Sequence, residues 1–490
     1  MKKKRSSQPL SEPVIALRKK KRICVKSFQQ QQQSFSSTQP EFCLPDDCWE
    51  HVFSFIINPV AVPEDKNKLY FKSSLSLVSK QFLSITNRLI FSLTIYYPQL
   101  CFLPCFFHRF SNLHSLDLWF ASSHDLDNNA AIALALRDRP TLKSLSVFGI
   151  ELKDANYVSS HYIDSFLSLK GLNSLKFRYS KISDDLLYSI ARGLPLKSFV
   201  LENCMGYSYH GIYDLLSNCH GIQHLGLHDV DFLNNHHVSQ LSLLLPDLTS
   251  INLSRCSKLT ESALFALIKN CHSLGEITME SIYTTKGESI KVSDILKDFD
   301  ANPQLKFLHL CSNSLINDET LILLASVFPN LQFLNLRFCD NISKRGICQV
   351  LSTCCKLKHL DLSCSYNMRG LKMNFVVHQL EVLDLSYSNV NDKTLYQISK
   401  SCCGLLQLVL IMCDYVTEKG VMRVVENCTQ LKKICLKWCR KVNVDVVVSM
   451  LPSRPSLHVF SSKHHYMWCD KVNANVVVSL VSLRPLLSML

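Results

Sequence analysis

One recurring motif limits what this chain can fold into more than any other feature. The template is Leu-x-x-Leu-x-Leu, often with Cys or Asn at the ninth place. Its first positions fall at Leu113, Leu142, Leu172, Leu196, Ile222, Leu248, Leu274, Leu305, Leu331, Leu357, Leu380, Leu405, Leu431 and Leu457. Successive starts lie 23 to 31 residues apart, most often 26. Chance does not hold such a register over fourteen starts. A repeat of this length is one supersecondary unit that cannot cover its own apolar faces, so copies must stack.

The unit beginning at Leu248 shows what is stacked. Ile251 and Leu253 alternate with polar residues, the period of a half-buried strand. Thr260 suits a helix N-cap, and Glu261 is placed to favour the helix N-terminus. Leu264, Leu267 and Ile268 then form an apolar helical stripe. Similar helix starts recur at Ser183-Asp184, Asn317-Asp318, Asn391-Asp392 and Thr417-Glu418. Each unit is therefore strand, turn, helix and a short return. The predicted fold class is α/β: a leucine-rich-repeat solenoid with a curved parallel sheet inside and helices outside. It should occupy residues 91–490 with about 14 repeats, the last ones degenerate. Near its end, Trp438-Cys439 and Val446-Val447-Val448-Ser449 reappear as Trp468-Cys469 and Val476-Val477-Val478-Ser479, a local duplication. The longer step after Leu274 carries an insertion, Tyr283–Asp300, expected to project over one face.

Ten of the 22 cysteines share this register, which argues for a periodic packing role. Cys204, Cys256, Cys339, Cys413 and Cys439 take the ninth place. Cys219, Cys271, Cys354, Cys402 and Cys428 each stand three residues before the next start. One thiol per layer fits small buried hydrophobes better than a tetrahedral metal set, and no C-x-x-C pair occurs. No apolar core follows the basic N-terminus, so a secretory signal is not expected and the thiols should be free in a reducing compartment. Neither a metal nor a cofactor is expected.

Formal net charge is +13, which would ordinarily suggest an acidic partner. Its distribution changes that reading. Residues 1–40 hold ten Lys or Arg against Glu12 alone, so nine units sit in this head and only four in the rest. The head also has a glutamine run, Gln29–Gln33, and reads as a disordered tail. Two clusters, Lys2, Lys3, Lys4, Arg5 and then Arg18, Lys19, Lys20, Lys21, Arg22, are separated by twelve residues. That spacing looks like a bipartite nuclear localisation signal; the plainer alternative is a solvated basic tail. The expected location is the nucleus, or the nucleus and cytoplasm together. Leu89–Phe107 lacks charge and imitates a membrane span, but it contains Pro98 and Pro104. It reads better as a helix end followed by a core strand, and no membrane partner is expected.

Residues 41–90 differ from the array. Leu44-Pro45 opens a helical pattern in which Trp49, Val52, Phe53 and Ile56 recur at helical spacing. A polar stretch containing Pro59 and Pro63 follows, then a second apolar helix is expected over Leu75–Leu83. Leu44-Pro45, Val52-Phe53 and Leu77-Val78-Ser79-Lys80-Gln81-Phe82 resemble the F-box motif, with departures at Ser79, Gln81 and Phe82 and a longer inter-helix loop. Followed directly by leucine-rich repeats, the segment makes the chain similar to a plant-type F-box/leucine-rich-repeat protein, a small all-α module ahead of the solenoid. The resemblance implies a non-catalytic substrate receptor. Its helices would dock on a Skp-family adaptor, and through it on a cullin–RING ubiquitin ligase. The repeats would bind a target protein for ubiquitination and proteasomal degradation. Carried over residue by residue, Leu44, Pro45, Val52, Phe53, Leu77, Val78 and Phe82 are the adaptor contacts or their supports. Internal helix packing is the alternative for each, and a repeat scaffold without a ligase role is the alternative for the whole.

Strand residues between the leucines should face the concave side of the stack. They include Trp119, Phe148, Arg178, Glu280, His309, Arg337, Asp361 and Lys437, taken as candidate substrate contacts. Both charge signs, aromatics and histidines mix there, so no single-sign patch for nucleic acid emerges. No P-loop, G-x-S-x-G or H-E-x-x-H motif occurs, and 13 glycines in 490 residues leave little for a phosphate cradle.

Overall fold

The computed structural model describes residues 44–461 apart from 58–73, 98, 121–131, 138, 152–156, 283–301, 315, 369–372, 450, 451 and 453. Both basic clusters, the Tyr283–Asp300 insertion and the duplicate copy at Trp468–Ser479 lie outside the described residues.

Among the described residues, fifteen strands form one all-parallel sheet in strict chain order. Six five-residue strands come first: β1 Ser92–Tyr96, β2 Ser115–Trp119, β3 Ser144–Phe148, β4 Ser174–Arg178, β5 Ser198–Glu202 and β6 His224–His228. Nine three-residue strands follow. They are β7 Ser250–Asn252, β8 Glu276–Thr278, β9 Phe307–His309, β10 Phe333–Asn335 and β11 His359–Asp361. The series ends with β12 Val382–Asp384, β13 Gln407–Val409, β14 Lys433–Cys435 and β15 His458–Phe460. In β2–β5 the fourth and sixth template places are buried and the third, fifth and seventh are not, as in Leu116 and Leu118 of β2; later repeats also bury some fifth- and seventh-place residues, such as Val409 and Ser363. Among the described residues, helices cover the buried side and leave the other side of the sheet open. This is the α/β leucine-rich-repeat solenoid that the periodicity predicts.

Two details of the repeat count change. β1 pairs in register with β2, placing Ile90, Leu93 and Ile95 at the template positions one repeat before Leu113. The uncharged stretch is thus partly a first strand layer, and its later half is a short helix, Leu103–Arg109. Among the described residues no helix is long and apolar enough to cross a membrane. At the other end, β15 pairs Lys433 with His458, so Ser456 rather than Leu457 stands opposite Leu431. The fourteenth start is therefore displaced by one residue.

Three devices fasten one layer to the next. First, the predicted caps form: Ser183, Thr260, Asn317, Asn391 and Thr417 each accept a backbone N–H at a helix start. The first residue of several helices also reaches the cap of the next helix. Asp392 accepts from the Thr417 N–H at 2.8 Å and its hydroxyl at 2.6 Å, and Asp184 does the same to Ser208 at 2.8 and 2.7 Å. Gly420 is required beside this clamp, because a Cβ there would lie 2.4 Å from Asp392 Oδ1 and 2.9 Å from its Cα.

Second, ninth-place thiols point into the layer before them. Cys256, Cys339 and Cys413 donate to the carbonyls of Leu227, Leu310 and Leu385 at 3.1, 3.1 and 3.2 Å. The other periodic set, Cys219, Cys271, Cys354, Cys402 and Cys428, forms the helix C-caps. Burial pushes the Cys256 and Cys339 thiols up to about 12, so they remain protonated donors.

Third, the eighth place adopts a left-handed backbone in twelve consecutive repeats, from Gly149 to Trp438. This turns the chain out of the strand and lets its N–H bond the next layer, as Phe338 does to the Ser363 carbonyl. Eleven of these residues are not glycine, although that conformation is strained for them.

Candidate functional site

The N-terminal helices are built around a very small core. Helix α1 spans Asp46–Ile57 and helix α2 spans Lys80–Arg88. Phe53 and Ile85 are buried between them, with Trp49, Leu75, Phe82 and Leu89 packed around. Trp49, Phe53 and Phe82 form a ring cluster with centroids 4.8 to 5.8 Å apart. Arg88 ties the two helices together, pairing with Asp46 at 2.9 Å and Glu50 at 2.6 Å. Gln81 adds a hydrogen bond to Asp46 at 2.8 Å. The Gln81 hydrogen bond and Arg88 together hold the Asp46 carboxyl below its usual range.

The second helix begins later than the apolar pattern suggests. Residues 77 and 78 form a turn, and Ser79 caps α2 by accepting the Phe82 N–H at 3.0 Å. A serine side chain that satisfies a helix start is the reason the chain does not run through as one helix from Leu75. The turn pushes Leu77 and Val78 outward; they are 85% and 64% exposed. Val52 is also exposed, and so is Phe55 at 66%, a residue that the family pattern does not mark. Phe53 and Phe82 instead pack inside, so within the candidate set they are supports. Leu44 is half-buried and Pro45 exposed.

On the open face of the sheet, the eight candidate substrate residues separate into groups. Trp119, Phe148 and Arg178 occupy one register row, continued by Tyr96 before them and Glu202 and His228 after. Trp119 stacks on Phe148 at 4.2 Å, Tyr96 lies 5.4 Å from Trp119, and Tyr179 lies 5.1 Å from Phe148. The Arg178 guanidinium sits 5.9 Å from the Trp119 ring. Lys176 pairs with Glu202 at 2.6 Å. Burial pushes the Glu202 carboxyl up, but Lys176 and Arg178 outweigh it and hold the group below the usual range. Charge in this first group is therefore balanced within the sheet.

The second group is not balanced. Glu280, His309, Arg337 and Asp361 gather on and just beyond β8 to β11, joined by Glu276, Phe333, His359 and Asp384. His309 and His359 each lie 4.6 Å from the Phe333 ring between them. Burial pushes both imidazoles down, toward the neutral form. Burial and the neighbouring Asp361 raise the Glu280 carboxyl. The same two causes lift Asp384 to about 6. Arg337 lowers both but forms no ion pair within 4 Å among the described residues; its guanidinium lies 5.0 Å from the Phe338 ring. Lys437 stands apart from both groups, beyond β14.

Asp361 and Asp384 also have a structural task. Their Oδ1 atoms accept the N–H groups of Ser363 and Ser386, each at 2.8 Å. Asn252 and Asn335 do the same for Ser254 and Arg337. Such turns divert the seventh-place N–H and so favour strands that stop after three residues. Along the rim, the eighth-place residues Phe338, Tyr387, Met412 and Trp438 form a row of exposed apolar side chains. Sequence reasoning missed this row, because alternation assigns strand faces but not the turn that follows.

Among the described residues no group of three or more His, Cys, Asp or Glu side chains is placed to hold a metal ion. No protein-family model matches the sequence. Three curated proteins illustrate its similarities. Antagonist of mitotic exit network protein 1 of Eremothecium gossypii is 32% identical over 128 residues, covering 25% of this chain and 33% of that protein. A transport inhibitor response 1-like protein of Oryza sativa subsp. japonica is 23% identical over 312 residues, covering 59% and 52%. F-box/LRR-repeat protein 4 of Bos taurus is 26% identical over 141 residues, covering 28% and 22%. The chain thus spans about a third, a half and a fifth of these relatives. The similarity supports an F-box/leucine-rich-repeat grouping, and its spread over these organisms gives the plant-type narrowing no separate support.

Proposed function

We propose that this chain is the substrate-recognition subunit of an SCF-type ubiquitin ligase. The exposed apolar set Val52, Leu77 and Val78 carries the reading. A two-helix module with so small a core gains nothing from leaving large apolar side chains in water, unless a partner covers them. A Skp-family adaptor is that partner, and a cullin–RING ligase lies beyond it. Phe55 belongs to the same surface. The repeats present the target-binding face, about 65 Å of sheet at ~4.8 Å per strand. The chain itself performs no chemistry in this arrangement; transfer of ubiquitin belongs to the assembled ligase. The two basic clusters near the N-terminus would address the complex to the nucleus.

Co-precipitation with a Skp-family adaptor tests the central claim. The wild type should retain the adaptor. Leu77→Asp with Val78→Asp should lose it without lowering the thermal midpoint, since both side chains are outside the module core. A wild type that retains no adaptor would refute the proposal. A second reading has an observation of its own. The module is bonded to the first repeats, with Asn112 donating to the Arg88 carbonyl and Arg109 to Asn87, both at 3.0 Å. A repeat scaffold that uses these helices only as an end cap would need residues 41–90 for folding and would bring down no ligase subunit.

A further inference from the structure

We infer that the open face of β8–β12 and the rim beside it receive an extended basic segment of a partner protein, with Arg or Lys placed between apolar residues. The inference rests on the target-binding reading of the repeats and narrows it to a class of target.

Charge is the first reason. Glu280, Asp361 and Asp384 share this face with a single cation, Arg337, which is not within ion-pair distance of any of them among the described residues. The nearest imidazole, His309, lies 3.7 Å from Glu276 and 4.0 Å from Glu280, but burial disfavours its protonated form. Among the described residues, this face therefore carries more carboxylates than cations, and Arg337 offsets them only in part. This is unlike β4 and β5, where Lys176 and Arg178 already answer Glu202. An Arg or Lys from outside would supply the missing counter-charge.

A second observation lies in the turn that follows Asp361. The side chain of Ser363 is nearly fully buried at the seventh place of its repeat, and its Oγ has no hydrogen-bond partner among the described residues. Buried hydroxyls are almost always satisfied. Its Oγ is enclosed in the free chain, so an arriving guanidinium or ammonium donor would reach it only where this turn gives way.

The rim gives the third reason. Phe338 and Tyr387 stand exposed at the eighth place of the same repeats, both at φ +57°. The same strained position holds Tyr179, Asn203, Asp229 and Arg255 in earlier repeats and Ser281, Ser312 and Cys364 in the neighbouring ones. Bulky rings gain nothing from that backbone conformation and lose free energy to water unless they are covered. They provide an apolar border for the residues that alternate with the basic ones.

The probe is a fluorescein-labelled ten-residue peptide in which Arg alternates with Leu and Val, binding the full chain in an anisotropy titration. Two counterparts carry Glu in place of every Arg, or Ser in place of every Leu and Val. The Arg peptide should bind at least tenfold tighter than the Glu peptide. Glu280→Gln with Asp361→Asn and Asp384→Asn should weaken it at least tenfold, because these changes keep side-chain size and one acceptor oxygen each while removing the charge. Phe338→Ser with Tyr387→Ser should weaken the Arg–Leu–Val peptide about fivefold and leave the Ser-bearing one unchanged. Equal affinity for the Arg and Glu peptides, or no binding of either, overturns the inference without requiring any variant to fold. A charge-neutral variant that is folded by thermal unfolding and binds within twofold of wild type overturns it too. Adaptor capture on the same preparation separates the two claims. Adaptor binding without charge selectivity defeats this inference alone, and charge selectivity without adaptor binding defeats the ligase reading alone.

Discussion

The first six strands and the last nine build one sheet by different means. In β1–β6 the strands run five residues and the core is aromatic, with Tyr162, Phe166, Phe177 and Phe199 fully buried. In β7–β15 the strands stop at three residues, and thiols at the ninth place fill the layer behind the turn. The open faces differ in the same places. The first carries stacked rings and closed ion pairs; the second carries carboxylates whose counter-ion stays out of reach. A repeat architecture fixes where a side chain points, while the residue at each fixed place decides what the layer does. The fifth place shows this most directly. Lys176, Val200 and Gly226 let the strand continue, whereas Asn335, Asp361 and Asp384 capture an N–H and end it.

The largest effect should come from the aromatic half. Phe166→Ala removes a ring that sits 5.9 Å from both Tyr162 and Phe177, and should cost about 3–5 kcal/mol in chemical denaturation. Cys413→Ala in the other half should cost only about 1–2 kcal/mol, since it deletes one sulfur and its hydrogen bond to Leu385. Similar losses from the two changes would mean that the halves do not rest on different packing.

Asp384→Asn should move stability the other way. Its folded-state pKa, about 6, lies above the ordinary 3.8, so the folded chain keeps a proton that the unfolded chain has released between those values. Stability therefore falls as pH rises from about 4 to 6. Asp361 and Arg337 face this carboxyl, and Ser386 bonds it. Asparagine keeps the acceptor for Ser386 and drops the charge. The gain at pH 7 should be about 1–2 kcal/mol, allowing for partial solvent screening, and should vanish below about pH 4. A pH series of denaturation midpoints checks both the size and the window.

The smallest effect is chemical. Under native conditions iodoacetamide should modify exposed Cys48, Cys101, Cys105, Cys355 and Cys403 first. Cys256, Cys271, Cys339, Cys354, Cys402 and Cys428, whose thiols burial pushes up to about 12, should react only on unfolding. Peptide mass mapping over time distinguishes the two sets.

Much of this organisation is legible in the sequence. The Leu-x-x-Leu-x-Leu register locates the strands, and Thr260 and Asn391 announce helix starts because a cap needs a particular side chain at a particular place. The first repeat escaped because Ile90 and Ile95 stand where the template has leucine, inside an uncharged stretch with another apparent meaning. Leu457 misled because an apolar residue one place out of register looks the same in one dimension. Alternation put Trp119 and Asp361 on one face correctly, but gave no measure of charge balance. That depends on Lys176 reaching Glu202 while Arg337 turns toward Phe338, which only three dimensions decide. Val52 and Phe53 were equal candidates by motif; one lies outside and the other inside because a helix turns by about 100° per residue.

The clamps between helices carry a consequence for how the array opens. Among the described residues, the carboxylate or amide at a helix start grips the following cap closely in the pairs Asp184–Ser208, Asn235–Thr260, Asp318–Ser343 and Asp392–Thr417, and at 3.4 Å in Glu418–Asn443. Apart from the longer contact at Glu418, successive helices are thus buttoned two by two rather than evenly. Hydrogen–deuterium exchange should then show paired repeats becoming accessible together, with the seams between pairs yielding first. A target that spans one seam would be held by two blocks able to shift against each other, while one seated within a pair would meet a rigid floor.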